Sequence, residues 1–137
     1  MSKDEWLLST IKDKSGAVVG TLILNMGCVP DNQRTICMYV TFPYKGRPLP
    51  TSEEMDGFDR IDNLMTSLCA KIDAQVVGIW TTKGVRDWIV YAADGDVAQK
   101  AATNMFRSVG AKIEVTPDRM WGQYRELREM VESAKPE

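Results

Sequence analysis

Apolar and polar residues alternate through the first third of the chain, as they do in half-buried β-strands. Two such runs, EWLLSTIKD (5–13) and AVVGTLILNM (17–26), flank a polar stretch that ends at Gly16, which predicts a hairpin. A third run, RTICMYVTF (34–42), places four apolar residues on one face: Ile36, Met38, Val40 and Phe42. We therefore expect three strands before the proline-rich segment YKGRPLP (44–50).

The next segment has the features of an amphipathic helix. Thr51 is a good N-cap, and Glu54 three residues later completes a capping box. Apolar residues then recur at helical spacing and form one stripe: Met55, Phe58, Ile61, Met65, Leu68, Cys69 and Ile72. Asp62 lies at the edge of this stripe, where it either reaches solvent or pairs with a cation of the sheet such as Arg86.

Two further helices follow the central part of the chain. In DGDVAQKAATNMFRSVG (94–110), either Asp94 or Asp96 can cap the helix, and Gly110 fits a left-handed stop. After a short strand, AKIEVT, Thr116 is the predicted cap of a third helix and Pro117 its first residue. The apolar stripe of this third helix contains Met120, Tyr124, Leu127 and Val131, with Trp121 at one edge.

The elements follow one another as β-β-β-α-β-β-α-β-α, which predicts a single α+β domain over residues 1–137. From residue 34 to 115 they read β-α-β-β-α-β, the split β-α-β pattern of ferredoxin-like folds. That pattern places two helices on one face of an antiparallel sheet. The N-terminal hairpin would extend this sheet and the C-terminal helix would be an addition, while the strand order stays open.

The stretch WTTKGVRDWIVYAAD (80–94) contains the strongest hairpin signal. A two-residue turn at Lys83-Gly84 would place Thr82 opposite Val85 and Trp80 opposite Asp87. Alternation then sorts the side chains by face. One face carries Val77, Ile79, Thr81, Arg86, Trp88 and Val90, and the other carries Val76, Gly78, Trp80, Asp87, Ile89 and Tyr91. Because both faces are apolar, we expect both to be covered by helices or by a partner.

Two interpretations of the aromatic residues remain open. In the first, the hairpin is buried on both sides and the third helix, 118–134, covers its aromatic residues. In the second, these residues form an exposed patch or shallow pocket with cationic residues at its rim, since tryptophan, tyrosine and arginine are the usual anchors of binding surfaces. The candidate partner-binding residues are Trp80, Lys83, Arg86, Tyr91, Trp121 and Tyr124.

Composition narrows the chemistry. The 137 residues include no histidine and three cysteines outside any CxxC pair, so histidine-activated nucleophiles and histidine-ligated metals are excluded. We expect no enzyme activity, no metal and no cofactor. An alternative is a small enzyme or ligand-binding domain that uses a cluster of Asp62, Asp87, Lys83 and Arg86. The net charge of −2 and the charged N-terminus favour a cytoplasmic protein that binds neither nucleic acid nor membrane.

Three segments resemble the bacterial domain-of-unknown-function family 695. They are GRPLPTSEEMDGFDRIDNLMTSL, VVGIWTTKGVRDWIVYAAD and VTPDRMWGQYRELRE, and with the opening EWLLSTIKDKSGAVVGTLILN they span most of the chain. The family sometimes occurs joined to a domain similar to the regulator of ribonuclease E activity B. The resemblance therefore implies an inhibitor or regulator that binds another protein. An immunity protein against a bacterial toxin, or a homodimer, are further hypotheses.

Overall fold

The computed structural model describes residues 4–134, which form an α+β domain with a six-stranded antiparallel sheet and three helices. The strands are β1 (Trp6–Lys12), β2 (Val18–Asn25), β3 (Ile36–Pro43), β4 (Ala74–Thr82), β5 (Val85–Ala92) and β6 (Lys112–Pro117). The helices are α1 (Ser52–Lys71), α2 (Gly95–Phe106) and α3 (Gly122–Ala134).

The strands lie in the order β1-β2-β4-β5-β3-β6, and every neighbouring pair is antiparallel. Helix α1 packs against β4, and α2 packs against β3 and β6. Their shared core contains Met38, Val40, Phe42, Trp88 and Val90, among other residues. Helix α3 packs against the opposite face, above a second core that contains Leu22, Leu24, Cys37, Ile89 and Tyr91. The central strands are therefore covered on both faces, as the apolar pattern of the 80–91 hairpin predicts.

The β4–β5 hairpin has the predicted register, with Thr82 opposite Val85 and Trp80 opposite Asp87. Lys83 and Gly84 both have positive φ angles, 53° and 84°, which is the conformation of a type I′ turn. Alternation fails at one point. The register shifts between Val76 and Gly78, so Val77 packs beneath α3 and Val76 faces the α1 core, the reverse of the predicted faces. A β-bulge adds one residue and so exchanges the faces of all residues beyond it.

The helix starts show where local signals suffice. Thr51 and Glu54 form the predicted capping box of α1, and Asp94 caps α2 by accepting the amide of Val97. The predicted start of α3 at Thr116 and Pro117 is wrong. Both residues belong to β6, where pairing with β3 holds them in the sheet, and the side chain of Asp118 instead accepts the amides that open α3.

Glu54 also fixes the proline-rich segment. Its carboxylate accepts backbone N–H groups from Lys45, Gly46 and Thr51, at 2.6, 2.9 and 3.0 Å. These hydrogen bonds lower the pKa of Glu54 from 4.5 to about 2, because they stabilise the ionised form. The segment that leads into α1 is thereby tied to the first turn of the helix.

The Glu54 contacts predict a pH-dependent stability. Because the folded pKa is below the unfolded one, the contribution is present above pH 4.5 and is lost as the pH falls towards about 2. Glu54→Gln should therefore be less stable than the wild type near neutral pH, and the difference should shrink across this acidic range. Urea unfolding at a series of pH values measures it. Glu53→Gln, at the exposed neighbouring position, is the matched control, and identical pH profiles for the two variants would contradict the assignment.

Candidate functional site

Three of the predicted anchors lie in the interior rather than on an exposed patch. Tyr91 and Trp121 have no exposed surface and Tyr124 is 1% exposed. The rings of Tyr91 and Trp121 stack with centroids 4.1 Å apart, and Tyr124 meets Trp121 edge-on at 5.6 Å. The interpretation of these residues as a surface patch is therefore wrong, because Tyr91 of the sheet and Trp121 and Tyr124 at the start of α3 pack against one another in the core.

Hydrogen bonds fix the same three side chains. The Tyr91 hydroxyl donates to the Asp118 carboxylate at 2.7 Å and accepts the backbone amide of Tyr124 at 3.1 Å. The indole N–H of Trp121 donates to the carbonyl of Arg34, and the Tyr124 hydroxyl donates to the carbonyl of Asn25. Trp121 itself has a positive φ of 57° at the entry to α3. Asp118, Trp121 and Tyr124 thus dock α3 onto the sheet.

Arg86 is also buried, at 5% exposure, on the α1 face. Its guanidinium lies 5.2 Å from the ring centre of Phe58 and 5.1 Å from that of Trp88, and it donates to the Thr81 hydroxyl at 2.8 Å. Its Nε is buried and has no hydrogen-bond partner among residues 4–134. Burial lowers the pKa of Arg86, while the carboxylates of Asp62 and Asp59 oppose this effect. Arg86 is a core cation and not the rim residue that the sequence suggests.

Asp62 is exposed, which confirms the interpretation that its side chain reaches solvent. Its carboxylate accepts the indole N–H of Trp88 at 2.7 Å, and it forms no ion pair with Arg86 within the described part of the chain. Trp88 is fully buried, so this bond satisfies its indole N–H. The exposed Asp62 side chain is therefore held in one orientation at the protein surface.

The four residues of the suggested charged cluster do not converge. Arg86 and Asp62 lie on the α1 face, whereas Asp87 shares its face with Ile89 beneath α3 and accepts the Thr41 hydroxyl. Lys83 is exposed in the turn. Burial raises the pKa of Asp87. The sheet therefore separates the two carboxylates that the alternative enzyme site would combine.

Trp80 and Lys83 are the two predicted anchors that reach the surface. Trp80 is half-buried at the edge of the α3 core, and Lys83 is exposed. The adjacent Gly84 accepts the amide of Tyr44 at 2.8 Å and lies directly against the guanidinium of Arg47. This packing joins the proline-rich segment to the hairpin turn, so the turn is a structural junction with the exposed Lys83 at its tip.

A different surface has the features of a binding site. Trp6 is 43% exposed and Leu8 is 65% exposed, and both lie on the α1 face of β1, since Leu7 between them packs against the α3 core. Helix α1 packs mainly against β4 rather than over this margin of the sheet. A cavity of about 400 Å³ separates Trp6 from Asp62 and Thr66 of α1.

We call this feature the α1–β1 groove. Its floor is the sheet surface formed by Ile23, Val76 and Ile79, and its walls are Trp6 on one side and Thr66 on the other. An adjoining cavity of about 430 Å³ continues the groove past Trp6 and Thr66 to an ion pair. In this pair, Nη2 of Arg34 lies 2.9 Å from Oδ1 of Asp73. The groove is apolar at its base and carries charged residues along its rim.

The sequence contains a signal for this groove in β1, a strand that holds none of the predicted partner-binding residues. In WLLSTIK, apolar residues occupy both faces of β1, although an edge strand with one covered face needs them on one face only. Trp6 and Leu8 are thus in excess of what the fold buries.

The thiols are poorly suited to nucleophilic chemistry. Burial raises the pKa of Cys28 and Cys69 to about 11 and that of Cys37 to about 12. All three are therefore protonated near neutral pH, and the thiolate is the reactive form. They behave as small apolar residues of the two cores.

Comparison with known protein families identifies the family of this chain. A family model described as "Family of unknown function (DUF695)" matches residues 5–127. The chain belongs to the DUF695 family. No curated protein and no solved structure matches it. Within residues 4–134, none of the helices in this DUF695 domain combines the length and apolar character needed to cross a membrane.

Tyr91 provides a test of the docking of α3. Tyr91→Phe removes the hydroxyl and leaves the Tyr124 amide and one bond of Asp118 without a partner, so it should destabilise the fold by about 1–3 kcal/mol. Tyr39→Phe removes a hydroxyl that donates to the exposed Gln123, and should cost less than about 0.5 kcal/mol. Denaturant unfolding compares the two variants, and equal losses would show that the Tyr91 hydroxyl does not hold α3.

Proposed function

We propose that this domain is a non-catalytic protein-binding module that acts as an inhibitor or regulator, and that its partner occupies the α1–β1 groove. The observation that carries the proposal is the exposure of Trp6, which forms one wall of the groove at a margin of the sheet. Large exposed apolar residues that adjoin a concave surface are typical of interaction sites.

The groove supports a partner of particular chemistry. Its floor of Ile23, Val76 and Ile79 suits an apolar side chain. Asp62 at one wall and Asp4 in the adjoining cavity provide carboxylates at the rim. The bond from Trp88 orients Asp62 in advance, which lowers the entropic cost of using it for binding. A partner segment that places an apolar residue next to a lysine or arginine is complementary to this arrangement.

The distribution of charge supports a role in binding rather than catalysis. The alternative function, a small enzyme or small-ligand-binding domain built on the 80–91 hairpin, needs Asp62, Asp87, Lys83 and Arg86 on one surface. Asp62 and Asp87 lie on opposite faces of the sheet, and Arg86 is packed between aromatic rings. These positions do not present an acid and a base to a common substrate.

The kind of partner follows from the family resemblance and not from the groove. Since the resemblance implies that such domains sometimes occur joined to one similar to the regulator of ribonuclease E activity B, we favour a regulatory role over that of a toxin immunity protein. Three buried free cysteines fit a reducing compartment, so we place the domain in the cytoplasm. A toxin gene beside this one would reverse the preference between the two roles.

The architecture of the supporting scaffold belongs to the same proposal. We infer that β3, α1, β4, β5, α2 and β6 form a ferredoxin-like unit, to which β1, β2 and α3 are added. The strand order β4-β5-β3-β6 and the packing of both α1 and α2 on one face support this inference. In this arrangement the groove lies where the β1–β2 hairpin meets the ferredoxin-like unit.

Two adjacent substitutions on α1 test the groove. Thr66→Lys places a long cation between the helix and Trp6, and should weaken partner binding at least about tenfold, which is about 1.4 kcal/mol. Ser67→Lys makes the same charge change at an exposed position about 100° around the helix, and should leave binding unchanged. Both variants serve as baits in extracts of the source cell, and the captured partner is then purified and titrated calorimetrically.

The result that supports the proposal is one protein retained by the wild type and by Ser67→Lys but not by Thr66→Lys. If that protein is an enzyme, its activity should fall with added domain until the two are equimolar. Equal capture by all three baits, or capture of no protein above background, would refute the groove as the binding site.

A further inference from the structure

The strand β1 is an edge of the sheet. Among the described residues it pairs with β2 alone, so the backbone groups on its other side have no strand partner. The opposite edge is β6, which within residues 4–134 pairs with β3 alone. An open strand edge is a template for a further strand, and proteins usually protect such edges with charges or proline.

The two edges differ in this protection. β6 carries Lys112 and Glu114 and ends at Pro117, which has no backbone N–H to donate. In β1 the six residues from Trp6 to Ile11 contain neither a charge nor a proline, and two of them, Trp6 and Leu8, expose apolar side chains. The composition of β1 is that of a strand with a neighbour and not of one that faces water.

We propose that β1 pairs antiparallel with β1 of a second copy of this chain, so that the protein is a homodimer with one continuous sheet. Charge complementarity selects the second copy as the occupant. The strand is preceded by an acid, Asp4, and ends with a base, Lys12, on the same face. Antiparallel self-pairing brings each acid against a base of the other copy, whereas parallel pairing would place like charges together.

One register satisfies this pairing. With Leu8 opposite its own copy on the two-fold axis, Trp6 lies opposite Thr10 and Asp4 lies opposite Lys12. All of these side chains point to the α1 face, because directly opposed residues of an antiparallel pair share a face. The most exposed apolar residue of the strand, Leu8, is thus covered at the centre of the interface, and the arrangement is isologous, as a two-fold dimer requires.

The dimer also affects the α1–β1 groove. Trp6 forms one wall of the groove and lies two residues from the axis, so the axis would bring the two grooves side by side on one face of the joined sheet. The dimerisation proposal rests on the edge of β1 and does not depend on the proposed function of the groove.

Sedimentation equilibrium of the full chain over a range of concentrations tests the dimer. The wild type should reach twice the chain mass of 15.4 kDa. Leu8→Lys places two cations together on the axis and should weaken the dimer more than about tenfold. The residue is 65% exposed, so circular dichroism should show an unchanged fold.

A charge exchange tests the register. Lys12→Asp should weaken the dimer about tenfold, because it opposes two pairs of carboxylates, and Asp4→Lys combined with Lys12→Asp should restore it. The Asp4 carboxylate also accepts a hydrogen bond from Asn25, so the informative comparison is the double variant against Lys12→Asp. Lys14→Asp, in the turn beyond β1, is the control with the same charge change and should leave the dimer intact.

A wild-type chain that stays monomeric at every concentration overturns the proposal, as does a dimer that Leu8→Lys leaves unchanged. Failure of the double variant to recover relative to Lys12→Asp overturns the antiparallel register. Thr66→Lys separates this proposal from the groove, since it should abolish partner capture and leave the dimer at wild-type strength.

Discussion

The docking of α3 through the stacked rings of Tyr91 and Trp121 is the interaction on which the rest of the architecture depends. The hairpin of β4 and β5 is apolar on both faces, and α1 and α2 cover one face only. Helix α3 encloses the other face, and Asp118 both caps this helix and accepts the Tyr91 hydroxyl. One carboxylate thus couples the start of the helix to the centre of the sheet, so helix formation and helix docking stabilise the same state.

The same arrangement explains why the exposed apolar surface lies at the β1 margin. The helices cover the central strands, whereas Trp6 and Leu8 of β1 remain exposed on the α1 face. Trp88 and Trp121 at the centre of the domain are buried, whereas Trp6 at its margin is 43% exposed. Position relative to the helical cover, rather than residue type, determines whether a tryptophan side chain is buried or exposed.

The sequence predicts those features that short-range chemistry determines. The capping box of α1 and the Lys83-Gly84 turn each depend on residues within a few positions, and both are confirmed. The failures involve distant contacts. Pairing with β3 keeps Pro117 in a strand. A bulge at Val77 exchanges the faces on which Val76 and Val77 lie. The indole of buried Trp121 depends on a carbonyl group 87 residues away. Alternation and spacing carry no information about such contacts, so the sequence indicates anchors by residue type alone.

The groove and the core are linked through Asp62. Its carboxylate lines the groove, yet its hydrogen bond runs to the indole of Trp88, which packs against Arg86, Phe42 and Phe58. Arg86 gains from this arrangement, because the two rings and the nearby carboxylate offset part of the cost of burying a cation without an ion pair. A basic group bound in the groove would also be attracted to the Asp62 carboxylate and would weaken the electrostatic stabilisation that this carboxylate gives Arg86. Occupation of the groove would therefore change the electrostatic environment of the core beneath α1. The charge of Asp62 at the rim thus contributes to the stability of the core as well as to the surface of the domain.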